Sequence, residues 1–393
     1  MTTSITDARG TRLVALDAVR GIAALCVVIA HITATNAAVA AKGSPTTWPR
    51  LVTVLTPVHL LWDGPIAVTV FFVLSGFVLT LPFLRQASGG HDSLIRWAGF
   101  YPKRLARLYL PAWAALLIAF GIMRVVASHP TVHGSAWLAH NSHRPTIHGL
   151  SHAALLVAGA GSIDGPLWSL GLEIVYSMLL PLFVLACLVR FIPEWAKWLL
   201  VIVAVTTAGA ASSRSASLLC AFAFGALLAS MHMRRDEAPR EFPRSAFVTI
   251  LVASLVGLNA GPVVNLAHLP HHLSGGVSRC LTILGATGAV FVVVSWTAAS
   301  RVLSVRALEW LGSRSFSLYL IHFPIVIGLS HLIDPTHLGL LIVIELATSL
   351  VAAELFCRLF ERPSHELSKR IGRWASAQAA ARLVAQPSSG SAR

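Results

Sequence analysis

The sequence predicts an all-α, polytopic transmembrane bundle of about ten spans with both termini in the cytoplasm, and three observations lead to it. Apolar residues make up 55% of the 393-residue chain and charged residues only 12%, a balance that excludes an ordinary water-soluble core. Apolar runs near the length that crosses about 30 Å of hydrocarbon recur from end to end. With the N-terminus inside, 23 lysines and arginines fall in inner loops and span ends against six outside, leaving out Arg20, and this is the positive-inside asymmetry. The net charge of +14 therefore follows the membrane, and no nucleic-acid role is predicted.

The ten stretches are 13–35, 63–84, 105–127, 166–190, 196–211, 215–233, 245–260, 276–298, 313–333 and 337–360, and the fifth to seventh are short. They form one domain, 13–363, between a cytoplasmic tail, 1–12, and a basic tail, 364–393, that reads as disordered from Gln386. Pro363 is expected to end the last helix. Ala153 to Ala160 is too short to span and reads as re-entrant or interfacial. Arg9, Arg12 and Ala38-Val39-Ala40 imitate a secretory signal, but Asp17 and Arg20 interrupt its apolar part and argue against cleavage. Cys26, Cys187, Cys220, Cys280 and Cys357 all lie inside apolar runs and read as small buried hydrophobes, not as a disulfide frame.

The first stretch carries Asp17, Arg20 and His31. Each charge at membrane depth costs roughly 2.5–3.5 kcal/mol, so function is the default reason for such groups. Arg20 and His31 leave one stripe of the helix, about 16 Å apart along its axis. Asp17, three residues before Arg20, is placed to pair with it. The bland alternative is an arginine that snorkels to headgroups and a packed core histidine.

Ser75 and Gly76 mark a small-residue spot where a helix or ligand approaches closely. Arg104 and Arg107 project from neighbouring parts of one face at the cytoplasmic mouth of the third span, either as a receptor for phosphate or as ordinary anchors. The outer segment from His129 to Gly165 is rich in histidine. His129 and His133 fit no defensible metal motif, so no metal is predicted. An Asp-Gly-Pro turn then leads into a helix with Ser169 and Glu173 one above the other. A carboxylate there demands an arginine or histidine partner, and Glu173 is a candidate to orient His31. Ser315, Tyr319 and His322 form a polar stripe in the ninth span, and the last span adds Glu345 and Glu354.

Arg20 followed after ten residues by His31, FFVLSGFVL at Phe71 to Leu79, the Arg104/Arg107 pair, PLWSLGLE at Pro166 to Glu173, SFSLYLIHFP at Ser315 to Pro324 and ERP at Glu361 to Pro363 together resemble the acyltransferase-3 family of integral membrane acyltransferases. The resemblance runs over about residues 12–363 in conserved motif order. It implies transfer of an acyl group, often acetyl, from acyl-CoA to a hydroxyl of a carbohydrate or another secondary metabolite. It also implies that His31 is catalytic, with Arg20, Arg104 and Arg107 handling the donor or supporting the site. Glu173 is expected beside His31 as a second catalytic group, with Asp17, Ser75, Trp168, Ser169, Tyr319 and His322 supporting the site or touching substrate. The appended extracytoplasmic domain of larger members is not expected here.

The chemistry agrees: an alcohol attacking a thioester benefits from a general base, histidine has the suitable pKa, and guanidinium groups hold phosphate or offset an oxyanion. An acyl-histidine step is compatible with the same residues. Rival readings are a secondary transporter or flippase, which would want internal repeats, and a polyprenol-dependent glycosyltransferase, which would want acidic outer loops. If the donor is the acyl-CoA that the resemblance implies, topology and helix spacing place its docking on the cytoplasmic side, expected to be that of a bacterial inner membrane, with the thioester delivered to His31, level with Glu173 in the outer half of the bilayer. The acceptor would be a cell-surface polysaccharide or glycolipid.

Overall fold

The computed structural model describes residues 3–37, 56–86, 91–127, 134–157, 161–237, 242–266, 270–333 and 336–385. Ala38-Val39-Ala40, His129, His133 and the tail from Gln386 lie outside the described residues. Those described form helices and turns, with one isolated antiparallel bridge between Asn36 and Gly134. The helices are α1 (Thr3–Thr35), α2 (Gly64–Arg85), α3 (His91–Val126), α4 (Ala136–Asn141), α5 (Ile147–Ala153), α6 (Trp168–Leu188), α7 (Glu194–Ala210) and α8 (Arg214–Glu237). They continue as α9 (Arg244–Leu258), α10 (Ala260–Leu266), α11 (His271–Ser295), α12 (Thr297–Leu303), α13 (Arg306–Leu332), α14 (Leu338–Phe356) and α15 (Arg362–Ala385).

Among the described residues, eight helices are long and apolar enough to cross a membrane. The two that fall short of the expected ten are α7, of 17 residues, and α9, of 15; at 1.5 Å per residue the latter reaches only about 23 Å. Ala153 ends α5 and is followed by a turn in which Leu156 has φ 60°; residues 158–160 of that stretch lie outside the described residues.

Local chemistry sets the helix starts. Asp63 caps α2, accepting from Ile66 N–H at 3.0 Å, with Pro65 in the first turn. A short 3-10 turn, Gly165–Leu167, carries the chain into α6. The broadest packing is α2 on α8, α1 on α13 and α3 on α15. Two glycines permit the first two: a Cβ at Gly76 would lie 2.2 Å from the Phe222 carbonyl oxygen of α8, and one at Gly312 would lie 2.4 Å from that of Asp17 on α1. The cysteines are unpaired thiols, four of them buried and Cys220 partly so.

Pro363 does not end the last helix. A π turn at Cys357–Glu361 follows α14, and Pro363 then sits in the first turn of α15. The chain stays helical through this junction, with Arg362 N–H donating to the Cys357 carbonyl, and the widened π turn accommodates the proline ring. The helix runs on along α3, where Ser376 Oγ donates to the Ile95 carbonyl at 3.3 Å. The third helix correspondingly starts at His91, so Arg104 and Arg107 sit well inside a helix of 36 residues and not at its first turn.

Candidate active site

α1, α2, α3, α6 and α13 enclose a cavity of about 550 Å³. One end is crowded with charge. Arg20 Nη1 donates to Asp17 at 2.7 Å, the expected pair. Arg104 donates through Nη2 to Glu173 and through Nε to Ser177 Oγ at 3.3 Å. Arg107 lines the same wall with Glu361 and His365 and forms no ion pair with a carboxylate among the described residues. The expectation that Glu173 orients His31 is therefore wrong. The carboxylate meets the guanidinium that α3 turns toward α6, and a buried carboxylate pairs with the cation in reach. Glu173 accordingly shares the arginines' end and not the depth of His31.

The other end is aromatic and neutral. Ser169 Oγ and the Tyr319 hydroxyl are hydrogen-bonded at 2.7 Å, and the Tyr319 ring is 6.0 Å from that of His322. His322, fully buried, places Nδ1 3.0 Å from the Leu318 carbonyl oxygen. That nitrogen must carry the proton, because a carbonyl only accepts. His322 Nε2 is then an acceptor, and His31 Nδ1, 2.9 Å away, donates to it. The hydrogen-bond pattern thus assigns His31 the tautomer with a free lone pair on Nε2. That nitrogen forms no hydrogen bond among the described residues. Trp137 stacks on the half-buried His31 ring at 5.5 Å, and Phe323 meets it edge-on at 5.4 Å.

The sequence-predicted residues divide between these ends. Asp17, Arg20, Ser75, Arg104, Arg107, Ser169, Glu173 and Tyr319 line the cavity. His31 and His322 stand beyond its lining, behind Tyr319. Trp168 faces away from it, meeting Phe72 at 6.4 Å and carrying the Arg214 guanidinium at 4.3 Å over its ring. Sequence reasoning missed Trp137, Phe323 and the pairing of the two histidines. Trp137 comes from α4, in the outer histidine-rich segment, where no helical spacing links it to α1. Glu361 was inside the quoted ERP motif but had no assigned partner; Ser317 donates to it.

Just before α6, Asp164 is fully buried with both carboxylate oxygens unpartnered among the described residues. Burial pushes its carboxyl well above the usual carboxylate range.

Neither curated proteins nor solved structures yield a match to this chain. The family model described as Acyltransferase domain matches residues 13–358, which include every cavity residue named above except Glu361 and His365. The chain belongs to this family, acyltransferase-3, and is a membrane acyltransferase.

Proposed function

We propose that the protein moves an acyl group, acetyl in the simplest case, from acyl-CoA to a hydroxyl of a carbohydrate such as a cell-surface polysaccharide or glycolipid. The observation that carries this reading is the polarity of the cavity: guanidinium groups at one end, and at the other a tyrosine leading to a histidine pair whose outermost nitrogen is a free base. Arg107, which forms no ion pair among the described residues, and the partly exposed Arg20 are the groups to receive donor phosphates. Arg104 is tied to Glu173 and shapes the wall.

The thioester, extended along the cavity, reaches His31 past Tyr319, whose hydroxyl is bonded to Ser169 and to the Pro166 carbonyl. The acceptor hydroxyl gives its proton to His31 Nε2 as its oxygen forms the new ester bond with the acyl carbon. The carbon–sulfur bond then breaks, and the CoA thiolate leaves and takes up that proton from His31 Nε2, which returns the ring to its neutral form. His322 accepts from Nδ1 throughout, holding the ring in the productive tautomer. The donor enters from the face bearing both termini, the cytoplasm of a bacterial inner membrane, and the acceptor from the opposite face.

Oriented vesicles test this. With acetyl-CoA sealed on the face bearing the termini and an extracted envelope glycan on the other, mass spectrometry should find acetylated glycan. Product formed only when both substrates share one compartment would overturn the two-sided arrangement. No acetyl transfer to any glycan would overturn the carbohydrate acceptor.

A further inference from the structure

A second cavity, of about 360 Å³, lies between α2, α8, α10 and α11 and contains two arginines, Arg214 and Arg279. Arg279 Nη1 donates to Ser217 Oγ at 3.1 Å, and Arg214 lies over the Trp168 ring. Both guanidiniums line this one cavity, and neither forms an ion pair among the described residues. The carboxylate in the same wall, Asp63, is committed elsewhere: it caps α2 through Ile66 N–H at 3.0 Å and faces the His59 ring at 3.9 Å. Two facing cations in a partly enclosed space are costly unless an anion joins them, and guanidinium forks match the oxygens of carboxylate and phosphate.

Its place in the fold connects it with the histidines. Asp63 precedes Gly64, whose Cβ position would be 3.3 Å from Ala30 Cβ, and Ala30 precedes His31. Trp168, under Arg214, precedes Ser169, which is bonded to Tyr319. The cavity therefore opens at the histidine end of the bundle, on the far side of Trp168 from the arginine-lined one.

We infer that this cavity is an anion subsite, in which Arg214 and Arg279 hold an acidic group, carboxylate or phosphate, carried by the sugar acceptor. The word acceptor rests on the acyl-transfer reading above; the anion rests on the two guanidiniums. Neighbouring hydroxyls of Ser217 and Thr69 give the wall the polar character a sugar needs.

The test is saturation-transfer NMR on the full chain in phosphatidylcholine nanodiscs, without acyl donor, using glucuronate, glucose 1-phosphate and neutral glucose as probes. At least one acid should bind, and which one does identifies the anion; glucose should bind at least about tenfold more weakly. R214Q and R279Q should each weaken acid binding about tenfold or more, and R214K and R279K should restore part of it. In the wild type, added salt should weaken it too, a readout that does not depend on any variant folding. No binding by either acid, glucose binding as tightly, salt-independent binding, or full binding in both glutamine variants would overturn the subsite. Loss of acid binding in phosphatidylglycerol nanodiscs would also overturn it, by showing a lipid headgroup as the occupant. The two readings fail separately: acid binding without any acyl transfer keeps the anion site and removes the acceptor, and transfer without acid binding removes the anion site alone.

Discussion

At the arginine end of the main cavity, three guanidiniums face three carboxylates, Asp17, Glu173 and Glu361. At the histidine end, His31 and His322 are held by a carbonyl oxygen, by each other and by aromatic rings. The contrast teaches how one apolar bundle supports two kinds of polar chemistry. Full charges survive there by pairing, and Arg107, which forms no ion pair among the described residues, is placed with the partly exposed Arg20 to take a ligand's charge. A base must instead stay neutral until it acts. Only hydrogen bonds from or to neutral groups hold its tautomer without adding charge.

Removing the base should break this comparison most severely. His31→Ala is expected to lower kcat by about 10²–10⁴-fold, the usual contribution of a general base, while insertion in the membrane is unchanged. Activity within a few fold of wild type would return His31 to a packing role. His322→Phe is next: it leaves His31 Nδ1–H without its acceptor, about 1–3 kcal/mol or roughly 5–150-fold in kcat. As a positioning residue, His322 should also move the pH profile of kcat. A loss confined to KM would disprove the tautomer role.

At the charged end the expected effects are smaller and fall on binding. Arg107→Gln should raise KM for acyl-CoA about tenfold, the worth of one charge-assisted hydrogen bond, with kcat little changed. Unchanged donor dependence would make Arg107 an anchor. Arg104→Ala alone should be worse than Arg104→Ala with Glu173→Ala, because the single change strands a carboxylate. A double-mutant cycle showing no coupling would separate the pair.

The smallest effect belongs to Asp164, at the mouth of α6. Burial raises its carboxyl, so the folded state disfavours ionisation. Its contribution to stability is present below the unfolded aspartate value of about 3.9 and declines as pH rises toward the raised folded value. Asp164→Asn should therefore be more heat-stable than wild type by a few degrees at neutral pH, with the gap closing near pH 4. Parallel melting profiles at all pH values would show that the carboxyl is not held this way.

The sequence by itself determined the helical membrane class, the positions of most of the long spans and the Asp17–Arg20 pair, because apolar run length and helical periodicity are local properties. It also identified the motif set whose family is shown here. Three things were decided by tertiary structure. Glu173 chose Arg104 over His31, since a carboxylate's partner is whichever cation helix packing brings within reach. His31 gained His322 from a helix 291 residues away in sequence, a separation that no spacing rule spans. Pro363 began a helical segment instead of ending one, because a π turn ahead of it and α3 alongside gave the chain both the room and the packing surface to continue.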